Sequence, residues 1–564
     1  MRSRTWTRII CSLTALAGVG LADAQSLPRA RPLPPRGPRP AVTATPAVSA
    51  DSATASPWQA VKGTPPFESN SCNGGFPGAA NPLLLTDGTV IIQDAGCSDW
   101  VRLTPDETGS YANGTWTRIA SLPADYAPLY HSSAVLPDGR VIVMGGEYNF
   151  FQGKFFVINR GAQGAIYDPT TDVWTSMTPP AFFTPLQLGP FPLMQTIGDA
   201  SGIVLPNGVY MQSDCCTKQS ALLDAKTLTW TPTGAGKFDP NDEEGWNLLP
   251  NGEVLAVDAY VPINFPYIPT GTNSELYDYH TGTWHSAGST IVQLWDSKLT
   301  CGELKASPSF EVGPAVLRSD GTLFYMGSNT CAGESGATAI YDSHTGHWRV
   351  GPMFPEIDGM SDINIADGPA AWEPNDKVLM MASPGEGAAP SFFFEWDGEH
   401  LNQVPGPPNA PVDGSFLGNM LVLPTGQILL TDFSGDVELY NPTIKPQDRA
   451  FQRSIAPVIL FTPLALDRGG SYKIDGIRFN GVSQGASYGD DVQAATNFPL
   501  VRITNLLTSH VFYSRTHDHS SMAVASDALV STHFDVPEGQ ERGLSLLQVV
   551  TNGVASEPAL VFVN

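Results

Sequence analysis

Basic residues are scarce in this chain. Its 564 residues include 30 lysines and arginines against 55 aspartates and glutamates, a formal net charge of −25. That balance repels polyanions and excludes nucleic acid and anionic membrane surfaces as partners. Charged residues of both signs make up only 15% of the chain, which argues against a helical protein. Long apolar runs are missing too: beyond residues 9–21 none is long enough to cross a bilayer, so no membrane span is expected. There is no Walker or dinucleotide fingerprint. No C-x-x-C pair or neighbouring histidine cluster supports thiolate metal binding. What the chain has in quantity is 55 glycines and 49 prolines, the composition of a turn-rich all-β protein.

One phrase recurs with variation: an apolar run, a turn with Asp-Gly or Asn-Gly, a second apolar run, then Tyr-Asp and an isolated Trp. It is cleanest from Tyr130 through Pro137-Asp138-Gly139 to Gly145-Gly146. It returns at Pro206-Asn207-Gly208, Pro250-Asn251-Gly252 and Pro424-Thr425-Gly426. Looser copies lie at Thr86-Asp87-Gly88, Ser319-Asp320-Gly321 and Pro374-Asn375-Asp376. The seven turns, at 86, 137, 206, 250, 319, 374 and 424, are 51, 69, 44, 69, 55 and 50 residues apart. A period near 50 with these marks is that of a kelch-type β-propeller. Asp-Gly and Asn-Gly accept positive φ and favour tight hairpins. The later marks are Tyr167-Asp168 with Trp174, Tyr277-Asp278 with Trp284, and Tyr341-Asp342 with Trp348; Leu223-Asp224 with Trp230 stands in for them in the third copy. Their spacing suits a third and a fourth strand. The seventh copy has Tyr440 but no Trp after it, while Trp58 stands alone before the first. The N-terminal segment is therefore expected to supply the last strand of the seventh blade.

Residues 1–24 read as an export signal: Arg2, Arg4 and Arg8, an apolar stretch, then Ala22-Asp23-Ala24. A secreted protein, extracellular or periplasmic, follows from it. Residues 25–57 are a Pro/Ala-rich linker. Six cysteines remain after the leader is removed, an even number suited to an oxidising compartment. Cys72 with Cys97 and Cys301 with Cys331 are plausible pairs, which leaves Cys215-Cys216 as a vicinal disulfide. The propeller is expected over residues 58–452. Alternating short strands over 453–564 suggest a β-sandwich.

A kelch propeller followed by such a domain resembles the galactose oxidase and glyoxal oxidase family. The marks are Tyr130-x-Ser132-Ser133-Ala134 before Asp138-Gly139, the run Ser487-Tyr488-Gly489-Asp490-Asp491, and Thr516-His517-Asp518-His519-Ser520. The resemblance covers about residues 58–564. It implies an all-β fold, a seven-bladed kelch-type β-propeller followed by an immunoglobulin-like (early-set) β-sandwich. It also implies a mononuclear copper held by two tyrosines and two histidines, one tyrosine cross-linked to a cysteine. Tyr130 matches the cross-linked tyrosine, seven residues before its turn. The same offset gives Ala79 where the cysteine belongs, and Phe416-Leu417 where the family reads Tyr-His. His519 fits the last histidine, with His517 as the alternative. Tyr130, His519 and His517 are thus the expected catalytic or metal residues of a degenerate site.

Across the blades the offset selects Ala79, Tyr130, Asp199, Glu243, Val312, Asp367 and Leu417, which should ring one mouth of the central channel. Asp199, Glu243 and Asp367 are acidic, with His131 and Glu244 beside the ring. Three readings stay open: a hard cation such as Ca²⁺, an acid/base pair acting on a glycan, and a solvated rim capping strand ends. Tyr148, Phe150, Phe151, Phe155 and Phe156 form either a packed loop core or an aromatic platform for a sugar. The expected protein is a monomer that binds carbohydrate or a small extracellular ligand, with Cu or Ca as the candidate cofactors. An oxidase with a rearranged copper site and a non-redox glycan-active enzyme are the alternatives.

Overall fold

The computed structural model describes residues 56–67, 78–149, 161–185, 195–259, 271–295, 311–328, 335–385 and 388–564. The leader, most of the linker, Cys72, Cys301, Cys331, Phe150, Phe151, Phe155 and Phe156 lie outside these residues.

Seven antiparallel sheets of the expected kind are present, six built on four strands from one stretch of chain and the seventh on three such strands plus one from the N-terminal segment. The blade-two sheet runs Ser132–Val135, Val141–Met144, Gly164–Asp168 and Val173–Met177. The turn chemistry explains the repeated dipeptide. Asp87, Asp138, Asn207, Asn251, Asp320 and Asn375 each accept, on their side-chain oxygen, the N–H two residues ahead. The next residue takes the left-handed conformation: Gly139 at φ 86°, Gly208 at 81°, and Asp376, in the loosest copy, at 68°.

The Tyr…Trp signature is a cross-strand pair. Tyr167 stands opposite Trp174, Tyr277 opposite Trp284 and Tyr341 opposite Trp348. Trp58 stands opposite Tyr440 in the same relation, so Trp58–Ala60 is the outer strand of blade seven and closes the ring. Its ring packs 5.0 Å from Phe393 and 5.1 Å from Tyr440.

After the short helix Asp448–Ile455 the chain forms a nine-stranded sheet. The expected sandwich is realised as one sheet curled on itself. Ile474, from a strand near one end of the ladder, shares a core with Val561 and Val563 near the other end.

From this domain the segment 483–497 enters the propeller channel. Ala486–Ser487 adds to the inner strand Ala370–Trp372 of blade six. The Gln484 side chain accepts Leu248 N–H at 2.8 Å, and the Gln493 carbonyl accepts the Ser133 hydroxyl at 2.9 Å. The Tyr488 carbonyl accepts Gly368 N–H at 3.2 Å. Blades two, four and six therefore hold the plug from three sides. No described helix is long and apolar enough to cross a membrane.

Candidate functional site: an acidic chamber at the channel mouth

The inner strands are entered through strained residues. Tyr130 (φ 51°), Glu243 (φ 57°) and Asp367 (φ 62°), all at the same offset before their turns, lie in the left-handed region. Non-glycine residues persist there only when their surroundings over-determine them. They belong to blades two, four and six, and the plug brings Tyr488, Asp490 and Asp491 close to them.

Two carboxylate triads result. Asp199, Glu243 and Asp490 each bring an oxygen within 4.8 Å of the other two, and so do Glu311, Asp367 and Asp490. The floor residues Asp199, Glu243, Asp490 and Asp491 are buried, whereas Asp367 and Glu311 are half-buried at the rim. Burial, then the neighbouring Asp199, pushes Asp490 up to about 7. Burial, then the Asp490 charge, also raises Asp491 well above the usual carboxylate range. Burial and Asp367 also raise the Tyr130 phenol. The Tyr130 ring lies 6.2 Å from Tyr148, 6.1 Å from Phe433 and 6.3 Å from Tyr488. Asp199 also borders the vicinal Cys215–Cys216 disulfide, which is fully buried beneath it. Cys97 is disulfide-bonded, and its expected partner Cys72 is outside the described residues.

The structure thus brings together Tyr130, Tyr148, Asp199, Glu243 and Asp367. It separates four other expected residues from them. Glu244 turns the other way into a buried cluster where Lys237 meets Asp239 at 2.6 Å, Glu244 at 3.0 Å, Asp258 at 3.7 Å and Glu275 at 2.7 Å. His131 is buried, bonded through Nε2 to the Asn81 amide at 2.9 Å, and desolvation holds it near 3, neutral at ordinary pH. His519 lies at the opposite end of the inner strands: its N–H donates to Pro137, in the turn that follows the strand Tyr130 precedes. Its Nδ1 is 2.8 Å from Thr532 Oγ1, and its ring stacks on Phe498. His517 has both ring nitrogens on carboxylates, Asp518 at 2.8 Å and Asp535 at 3.1 Å. The strand ends at His517, and Asp518 (φ 52°) breaks the alternation that would have aligned the two imidazoles.

The copper that the sequence resemblance implies does not fit this site. Ala79 offers no sulfur beside Tyr130, and Phe416 and Leu417 are hydrocarbon side chains. An unforeseen phenol does arrive, Tyr488, but its hydroxyl is spent on the Phe416 carbonyl. All ten histidines are described. Five lie on outer strands or their turns, four lie in the C-terminal domain, and His131 is committed to Asn81. Cu(II) favours several nitrogen and oxygen donors in tetragonal array, whereas the donors gathered here are carboxylates.

Sequence reasoning missed Glu311, Tyr488, Asp490 and Asp491. The Tyr488-Gly489-Asp490-Asp491 run was visible as a family mark, but nothing in its local pattern says that it enters the channel of another domain.

The architecture is a seven-bladed kelch-type propeller joined to a curled β domain. The chain is similar to a fungal alcohol oxidase of the AA5 family solved with copper, at 14% identity over 87% of this chain and 98% of that one, with a TM-score of 0.45. It is similar to virginiamycin B lyase from Staphylococcus aureus at 9% identity, over 68% of this chain and 100% of that one, with a TM-score of 0.39. In sequence it is 30% identical over 98 residues to a kelch-like protein, terF, of Aspergillus terreus, a match covering 17% of this chain and 18% of that relative's length. No family model matches the chain.

Proposed function

We propose that this is an exported ligand-binding propeller protein that takes carbohydrate at the acidic chamber. The observation that carries the reading is the rim: half-buried Asp367 and Glu311 beside the Tyr130 ring, with Tyr148 packed edge-on. Carboxylates accept hydrogen bonds from neighbouring sugar hydroxyls, and aromatic rings cover the apolar face of a pyranose. The leader-like N-terminus and the buried vicinal disulfide support export to an oxidising compartment.

A glycan array probed with wild type, Asp367→Asn and Tyr148→Ala tests the reading. Wild type is expected to bind a defined glycan class, and each variant to lose at least about tenfold in affinity, the effect of about 1.4 kcal/mol. Undiminished binding by both variants overturns the site assignment. Release of new reducing ends from a bound glycan replaces the binding-protein reading with that of a glycan-active enzyme.

A further inference from the structure

The helix Asp448–Ile455, which leads from the propeller into the C-terminal domain, has two faces. Phe451 and Ile455, four residues apart, pack onto the core shared by blades five and six. Arg449, Gln452 and Arg453 lie on the other face and line a cleft of about 610 Å³ between the domains. The blade-seven turn at residues 424–427 forms a second wall, and Arg502 with residues 553–555 and Glu557 forms the third. Two glycines fix the junction: a Cβ on Gly553 would come within 2.5 Å of the Gly426 Cα, so the domains meet here backbone to backbone. Charge in the cleft runs against that of the molecule. Three arginines and a single carboxylate, Glu557, line it in a chain of net charge −25. Elsewhere Arg140, Arg318, Arg478 and Arg515 each pair with an aspartate at 2.5–3.2 Å. Among the described residues Arg449, Arg453 and Arg502 pair with no carboxylate. Arg502 donates from Nη2 to Gln548 Oε1 at 2.8 Å, and its Nε is buried without a partner. The helix dipole accounts for Arg453, in the last turn, but not for Arg449, in the first, and like charges four residues apart repel.

We propose that this cleft is a second binding site, separate from the acidic chamber, for a small molecule that carries an oxyanion: a carboxylate, sulfate or phosphate group. Guanidinium groups present paired N–H donors that match the oxygens of all three. The cleft is far larger than a bare ion and has the volume of a site for a small organic ligand. The acidity of the whole chain disfavours a long polyanion, whose outlying charges would meet an acidic surface. Glu557 on the wall offers an acceptor to a ligand hydroxyl and repels a second anionic group. The inference does not rest on the carbohydrate reading of the chamber.

Isothermal titration of the full chain with sodium sulfate, sodium phosphate and sodium glucuronate, at matched ionic strength in chloride buffer, tests the inference. Wild type is expected to take one equivalent of at least one of these probes with a Kd of about 1 mM or tighter. Sulfate or phosphate binding assigns a tetrahedral oxyanion, and binding of glucuronate alone assigns a carboxylate carried on a sugar. The double variant Arg449→Gln with Arg453→Gln, altered at two exposed positions, is expected to keep the wild-type melting temperature without anion and to lose at least about tenfold in affinity. Lys445→Gln removes a charge from an exposed position outside the cleft and is expected to leave the affinity within about twofold, because salt screens it. No one-to-one binding of any probe by wild type, or undiminished binding by the double variant, overturns the inference. An equal loss in Lys445→Gln also overturns it, since the attraction would then belong to the surface at large. So does binding of heparin where none of the three small probes binds.

Discussion

The Tyr488 hydroxyl donates a hydrogen bond of 2.7 Å to the carbonyl of Phe416. This contact ties the plug of the C-terminal domain to blade seven at the chamber wall. Tyr488 is 2% exposed, so the bond is made away from water. Tyr488→Phe keeps the ring stacked on Tyr130 and deletes only the hydroxyl. A loss of about 1 kcal/mol is expected, the usual net worth of one such bond. Paired urea denaturation of wild type and variant measures it, and an unchanged midpoint would mean the plug does not depend on this tie.

Ring closure rests on Trp58. Its indole N–H donates to the Pro405 carbonyl at 2.6 Å, and its ring fills the space between Phe393 and Tyr440. Trp58→Ala is expected to cost about 3–5 kcal/mol, as for other large buried aromatics. Limited proteolysis should then cut first at the freed N-terminal strand and blade seven. Wild-type protease resistance in the variant would deny the strand its closing role.

Lys237 is the internal counter-ion of four carboxylates. Lys237→Met retains much of the side-chain volume and removes the charge. Breaking a buried ion pair by deleting one partner typically costs about 3–5 kcal/mol, because the remaining charges stay desolvated. Thermal denaturation should show that loss. Full recovery of stability by the further change Glu244→Gln would locate the strain at that carboxylate, and no loss in the single variant would refute the account.

Glu373 is fully buried, and burial together with the nearby Glu395 pushes it up to about 8 from an ordinary 4.5. The folded protein therefore holds a proton that the unfolded chain releases above pH 4.5. Its contribution is fully present below that pH and is lost as pH rises through about 8. Stability is expected to fall across this window by an amount on the order of a few kcal/mol. Glu373→Gln, which does not titrate, should flatten the profile. Denaturation midpoints between pH 4 and pH 9 check both, and a variant with the wild-type slope would show that other groups carry the dependence.

The blades were legible because their determinants are local. An Asp or Asn side chain reaching an N–H two residues ahead, a glycine or aspartate at positive φ, and a Tyr facing a Trp across a ladder all lie within a few residues of one another. Even the long-range pairing of Trp58 with Tyr440 was readable, because one blade lacked the Trp that the others carry. The chamber was only half readable. Counting back from each turn selected Tyr130, Asp199, Glu243 and Asp367, which the fold brings close to Asp490 and Asp491. The same count put Glu244 beside the ring, but its side chain points to Lys237. His519 was matched by motif alone, and the structure seats it against the Pro137 turn at the far end.

The sequence alone therefore settled the number of blades, how the ring closes and the absence of metal-binding side chains at 79, 416 and 417, since each depends on residue type at a repeated position. Only the tertiary structure decided what stands in their place. Asp490 and Asp491 are far in sequence from Asp199, Glu243, Glu311 and Asp367, and no pattern within 483–497 shows that it threads another domain's channel. Side-chain chemistry is written along the chain, whereas the convergence of charges is a property of the folded surface that two domains form together.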